Sequence, residues 1–401
     1  MSSDTGVDAV TVPETDFDHH DTTLSHDQVL KRYQDLREMC PVTHSSVHGG
    51  YFNVTQYEGV CDVTTSPESF SSAGRVFVPA PPLPPIPPLE FEGEEHTSWQ
   101  TLMQAPLTPA EVRDFKPTID EIVRREIETF EHKGKADLWS DFADAIPALV
   151  IARLIGLSEN AAPRMRELAM AVLNSLDGSD GGKASAEFFA FTAKQLDDRR
   201  RTPRGDYLSQ LANGEFRGRR LTDDEVGGML VAFFIGGHHS TAASIVGLLN
   251  HILSEEGVRE VVESDPKALN RVIEESLRLT TPLPHFARTT LGDVEVQGYP
   301  IPAGSKVLLN YMSANRDPRE FDHPDEFDHR RRRNTHVAFG FGVHLCIGRH
   351  LARAELVSAA TELLNRLPDV EIDGEVEYTG LMGGNIMQIA RLPVRFTPVE
   401  S

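Results

Sequence analysis

The sequence predicts a mainly α protein with a minor β region, folded as one large domain across residues 26–401. Apolar residues recur at helical spacing from about Asp27 to Met39, through most of the stretch from Thr108 to Arg200, from Thr222 to Leu253, from Asp265 to Leu279, and beyond Arg349. Strand-like patterning is confined to short segments between Val42 and Val54, between Pro284 and Thr290, and between Asp369 and Pro398. A chain of 401 residues, 39% hydrophobic and 25% charged, has the size and composition to bury a large core.

The formal net charge of −22 argues against nucleic acid or an anionic membrane as the main partner. Cys40, Cys61 and Cys346 are too few and too scattered for a disulfide framework, which points to a reducing cytoplasm. The longest apolar run, Met229 to Ile235, falls far short of the roughly 18 residues that suggest a membrane span.

Taken in order, residues 1–25 are acidic and polar and are expected to be a disordered tail without a signal-peptide core. The Asp27–Met39 helix follows, then a hairpin turning at Gly49-Gly50. Pro79, Pro81, Pro82, Pro84, Pro85, Pro87 and Pro88 exclude a helix over residues 76–90, so that segment is extended. A helix from Glu94 to Gln104 carries His96 and Trp99. The Ser185–Arg201 stretch presents Phe188, Phe189, Phe191 and Leu196 on one side. Thr222 and Glu225 are spaced as a capping box that opens the longest helical stretch. Gly236 and Gly237 interrupt that stretch at a cost of about 1 kcal/mol each relative to Ala.

The most informative segment is Phe339-Gly340-Phe341-Gly342-Val343-His344-Leu345-Cys346-Ile347-Gly348. Its glycines bracket one cysteine and deliver it to the start of a helix, where unpaired N–H groups and the helix dipole favour a thiolate. The glycines also leave room for a flat group against the backbone. A buried structural cysteine is the ordinary alternative for such a residue.

This segment resembles the haem-binding signature of the cytochrome P450 family, Phe-Gly-x-Gly-x-His-x-Cys-x-Gly, and the resemblance extends in order from about residue 26 to the end. It implies the cytochrome P450 fold and haem b, with Cys346 as the axial metal ligand and Phe339 and Gly348 as parts of its loop. His96, Arg288 and His344 would hold the haem propionates. The family's arginine four residues after His96 is replaced by Gln100, which exchanges a charged contact for a neutral hydrogen bond.

The family's acid–alcohol pair for proton delivery falls on His239 and Ser240, with Thr241 beside them. Serine keeps a donor and an acceptor, and histidine relays protons near neutrality. Phe77, Val78, Ile235, Gly236, His285 and Phe286 are expected to border the substrate cavity, with Leu83, Leu381, Met382 and Met387 as further contacts. Glu275-Ser276-Leu277-Arg278 matches the family's Glu-x-x-Arg element, and Arg331, or Arg330, supplies its second arginine.

The function so implied is a monooxygenase. It would insert one atom of dioxygen into an apolar small molecule, with electrons from NAD(P)H through a reductase and a ferredoxin. Arg330, Arg332, Arg349 and Arg353 would offer that ferredoxin a basic docking face. A cytoplasmic monomer is expected. A peroxide-driven or coupling oxidant, and a non-catalytic haem protein, are the competing readings.

Overall fold

The computed structural model describes residues 10–80, 84–158, 160–174, 181–265 and 267–400. Leu83, one of the expected substrate contacts, lies outside them. Helices dominate, and a six-stranded sheet stands beside them. Its strands run in the order Glu14–Thr15, Val42–Ser45, Tyr51–Val54, Lys306–Asn310, His285–Thr290 and Phe70–Ser71. Lys306–Asn310 pairs in parallel with Tyr51–Val54 and antiparallel with His285–Thr290, so the sheet joins segments more than 230 residues apart.

The expected tail is ordered from residue 10 onward. Glu14–Thr15 adds an edge strand beside Val42–Ser45. Phe17 is buried against Tyr33, and His19 is buried within hydrogen-bonding distance of Tyr51 and Val78. These partners lie far away in sequence, so the composition of residues 10–25 did not reveal them.

The helical core is built on amphipathic stripes. The Pro109–Glu128 helix starts on a Thr108 cap and buries Val112, Ile119, Ile122, Val123 and Ile127. It packs against the Arg349–Arg366 helix, which follows the cysteine loop and buries Leu351, Leu356, Leu363 and Leu364. Asp120 ties the pair together by accepting from Lys116 and from Ser358.

The long stretch from Asp223 to Ser254 is the one helix among the described residues long and apolar enough to cross a membrane, but it is mostly buried in the fold. It opens on the capping box of Thr222 and Glu225. It is not one regular helix, for it divides at His238 into Asp223–Gly237 and His239–Ser254. At Gly237 a Cβ would sit 2.8 Å from Ile151 Cδ1 and would oblige that side chain to move. At Gly236 a Cβ would meet nothing within 4 Å.

Candidate active site

The cysteine loop is held by its own backbone and by the helix above it. Gly340 and Gly342 adopt φ of 72° and 73°, a conformation that favours glycine. A Cβ on Gly342 would also lie 2.2 Å from the carbonyl oxygen of Thr64. The Cys346 N–H donates to the Phe339 carbonyl at 3.0 Å, closing the loop. The N–H groups of Gly348 and Arg349 point at the sulfur.

Burial nevertheless pushes the Cys346 thiol up, against the pull of those N–H groups and of the Arg349 and Arg353 guanidiniums. The helix start therefore does not by itself secure a thiolate. A bound metal ion would, since coordination deprotonates a thiol outright. Around the cysteine, Phe341 and Val343 are 44% and 45% exposed, an apolar surface that suits a flat hydrophobic group.

A second set of groups calls for an anion. Arg288 is buried on the His285–Thr290 strand, and among the described residues its guanidinium has no carboxylate partner, only the neighbouring Ala287 carbonyl at 2.9 Å. His96 Nε2 and Trp99 Nε1 are buried without hydrogen-bond partners. A buried cation and two orphaned ring nitrogens are costly unless something negative meets them. The propionates of a haem would do so. Cysteine sulfur, apolar face and anion-seeking groups together fit that cofactor.

His344 packs edge-on against His96 with ring centroids 4.4 Å apart, and its Nε2 lies 3.0 Å from Ser72 Oγ. Near it, burial opposes ionisation of Glu92, yet hydrogen bonds from His344 and Ser72 hold that carboxyl at about 2. Gln100 also reaches the cysteine loop. Its amide donates to the Val343 carbonyl at 3.3 Å, bracing the cysteine loop.

At the division in the long helix, Ser240 donates its hydroxyl to the Gly236 carbonyl at 2.8 Å. A side chain thus takes the oxygen that a regular turn would offer to a backbone N–H. Thr241 is buried one residue on. His239 turns into the core, where its ring meets Trp139 edge-on at 5.4 Å. Neither of its nitrogens completes a hydrogen bond, although Gln388 approaches, and burial lowers its pKa to about 4. His238 lies 2.8 Å from the carbonyl oxygen of Asp144, whose carboxylate pairs with Arg166.

The expected substrate contacts divide. Phe77 and Phe286 are half-buried with centroids 5.6 Å apart, and Phe286 continues to Tyr311 at 6.2 Å. Ile235 is half-buried and Gly236 exposed. Val78 and His285 are withdrawn. Val78 packs with Phe17, Val29 and Tyr33 in a separate core. The His285 ring nitrogens meet Tyr33 Oη at 2.8 Å and the Gly384 carbonyl at 3.0 Å. Leu381 and Met387 belong to the same separate core. Strand alternation explains the split, since His285 and Ala287 face that core while Phe286 and Arg288 face the other way.

Glu275 and Arg278, both fully buried, form a two-bond pair at 2.9 and 2.7 Å. Arg331 reaches the same carboxylate at 3.3 Å, and Arg330 does not. Beside them Glu274 receives Arg353 through two bonds, and Arg353 lies over the Phe339 ring at 4.5 Å. Arg349 donates to the Cys346 carbonyl. Two of the four arginines expected to greet a partner are therefore bound to the cysteine loop and its supports, while Arg330 and Arg332 are exposed.

The sequence did not disclose Glu90. Its buried carboxylate accepts from Arg75 at 3.0 Å and from the N–H groups of Val76 and Ile86 at 3.1 and 3.0 Å, knotting the two ends of the proline-rich segment.

A cysteine loop supported by a buried Glu–Arg pair, and followed by a helix that packs on the His239–Ser254 helix just beyond the division at His238, is the arrangement of a haem-thiolate protein. A family model described as Cytochrome P450 matches residues 264–377. The chain is 30% identical to the Steroid C26-monooxygenase of Mycobacterium tuberculosis over 91% of its own length and 93% of the relative's. Among solved structures it resembles cytochrome P450 CYP109Q5 from Chondromyces apiculatus, with a TM-score of 0.85, 28% identity and coverage of 98% and 100% of the two chains. It also resembles P450BioI, solved with an acyl carrier protein bearing hexadec-9Z-enoic acid, with a TM-score of 0.82, 27% identity and coverage of 91% and 98%. The chain belongs to the cytochrome P450 family; it is a P450 monooxygenase whose cofactor is haem b.

Proposed function

We propose that the protein oxidises an apolar small molecule with dioxygen in the cytoplasm, taking electrons from NAD(P)H through a reductase and a ferredoxin. The observation that carries this reading is the aromatic series Phe77, Phe286 and Tyr311, whose middle member shares the His285–Thr290 strand with the anion-seeking Arg288. Bound haem supplies the redox iron at which dioxygen is reduced. Cys346 would ligate that iron, and Arg288, His96 and Trp99 would hold the propionates, with His344 alongside. Ser240 keeps an exchangeable proton on the Gly236 carbonyl at the helix division, and Thr241 adds a second hydroxyl. Burial keeps His239 neutral at physiological pH and its ring packs against Trp139, so it does not serve Ser240 as an ionised acid. Exposed Arg330 and Arg332 would steer an acidic ferredoxin to the face beneath the cysteine loop.

The test is a titration of the ferric protein with steroids, terpenes and long-chain fatty acids, followed at the haem absorption band. A low-to-high-spin shift names the substrate class, and a spectrum without thiolate character refutes the reading. Among the described residues no ionised acid stands beside Ser240, which favours a second reading, a peroxide-driven oxidant. Turnover with hydrogen peroxide exceeding that with ferredoxin would select it.

A further inference from the structure

Apart from the haem site, three histidines from two distant segments meet. One ring nitrogen from each of His19, His20 and His48 lies within 4.8 Å of the other two. The ring centroids form a compact triangle with sides of 4.5, 5.4 and 4.7 Å. None of these side chains serves the cysteine loop or the helix division.

A neutral imidazole has one N–H and one lone pair, and here every N–H has an acceptor. Nε2 of His19 and of His20 both meet the Val78 carbonyl, at 2.6 and 2.8 Å. Nε2 of His48 meets Asp18 at 2.7 Å. The second nitrogens face no donor among the described residues. Tyr51 Oη is 3.2 Å from His19 Nδ1, but its one proton goes to the Phe17 carbonyl at 2.7 Å. Each ring therefore keeps a lone pair in reserve, while a carbonyl or a carboxylate takes its N–H. Metal-binding histidines are held in this way, the outer acceptor fixing the ring.

We propose that His19, His20 and His48 form a site for a divalent transition-metal ion of the zinc type, with water as the fourth ligand. Imidazole nitrogen suits such ions, and three histidines with one further position is an established coordination number for zinc. Bonds of about 2.1 Å around a tetrahedral ion require ligand atoms about 3.4 Å apart, so the rings must draw in by roughly 1 Å. His48, exposed on a turn at φ 52°, and His20, half-buried, are placed to make that movement. An adjoining surface groove of about 460 Å³ carries five aspartates against Lys31 and Arg32, a net negative lining that attracts cations. An ion there would fasten the N-terminal segment to the hairpin turn and to Val78, at the foot of the proline-rich segment.

The test uses the haem-loaded chain without a histidine tag, titrated with Zn²⁺ by calorimetry. His48→Asn, His20→Ala and the double variant are compared with the parent. Asparagine tolerates a positive φ, so His48→Asn keeps the turn and remains readable even if the double variant fails to fold. The expected result is one Zn²⁺ per chain, weakened at least about tenfold in each single variant and lost in the double. Zn²⁺ should also raise the melting temperature of the parent but not of His48→Asn. A parent chain that binds no stoichiometric Zn²⁺, or binding unchanged in His48→Asn, overturns the proposal.

Discussion

The hydroxyl of Ser240 donates to the carbonyl of Gly236 at 2.8 Å, across the division of the long helix. Ser240→Ala removes that proton while leaving the glycine and the core on either side in place. Product formed per NAD(P)H consumed should fall by at least about tenfold, with reduced oxygen released as peroxide, and Ser240→Thr should keep coupling. Parallel assays of cofactor consumption, peroxide and product check this. Unchanged coupling in the alanine variant would remove Ser240 from the reaction.

Glu275 should matter for folding more than for chemistry. Its fully buried carboxylate also accepts from Asn334 Nδ2 and from the Asp328 N–H, each at 3.0 Å. Glu275→Ala leaves Arg278 charged and unpaired in the interior, at a cost of about 3–5 kcal/mol. The expected outcome is protein that does not retain haem. Arg331→Ala, which removes the outer and longer contact, should be milder in thermal melts.

Arg288 and Gln100 should behave differently under substitution. Arg288→Leu deletes the buried cation and should speed haem transfer to an acceptor globin. Gln100→Ala removes one bond to the Val343 carbonyl, worth about 0.5–1.5 kcal/mol, and should leave haem retention nearly unchanged. Equal loss in both variants would return Gln100 to the propionates.

Stability should decline in acid in two stages. Burial holds His238, His239 and His285 at about 4, against 6.5 for a free histidine. The unfolded chain therefore takes up protons first, and stability falls as pH drops from about 6.5 towards 4. Burial opposes ionisation of Glu274, but Arg353 and His336 hold it at about 2, against 4.5, so its contribution is lost between about 4.5 and 2. Melting temperature should be level above pH 6.5 as far as these groups are concerned. In His238→Gln the fall between 6.5 and 4 should be shallower.

What the sequence discloses here is what lies close together along the chain. The cysteine loop could be read because its glycines, its cysteine and the following helix are consecutive. Thr222 and Glu225 could be read as a cap because capping acts over three residues. Burial on one face of a strand could not. His285 and Phe286 are equally strand-like in sequence, and only the packing of Phe17 and Tyr33 decides that His285 turns away. Residues 10–25 are polar enough to pass for a tail, and their order depends on Tyr51 and Val78. Arg353 looked free because Glu274, its partner, stands 79 residues earlier.

Glu90 has a consequence for how such a protein diversifies. Because one carboxylate holds Arg75, Val76 and Ile86 at once, the anchor points of the proline-rich segment are set by Glu90 and not by the prolines themselves. Val78 is the exception, since its side chain lies in the core with Phe17 and Tyr33 and its carbonyl meets His19 and His20. Substitutions among the prolines can therefore accumulate over evolutionary time while those anchors hold.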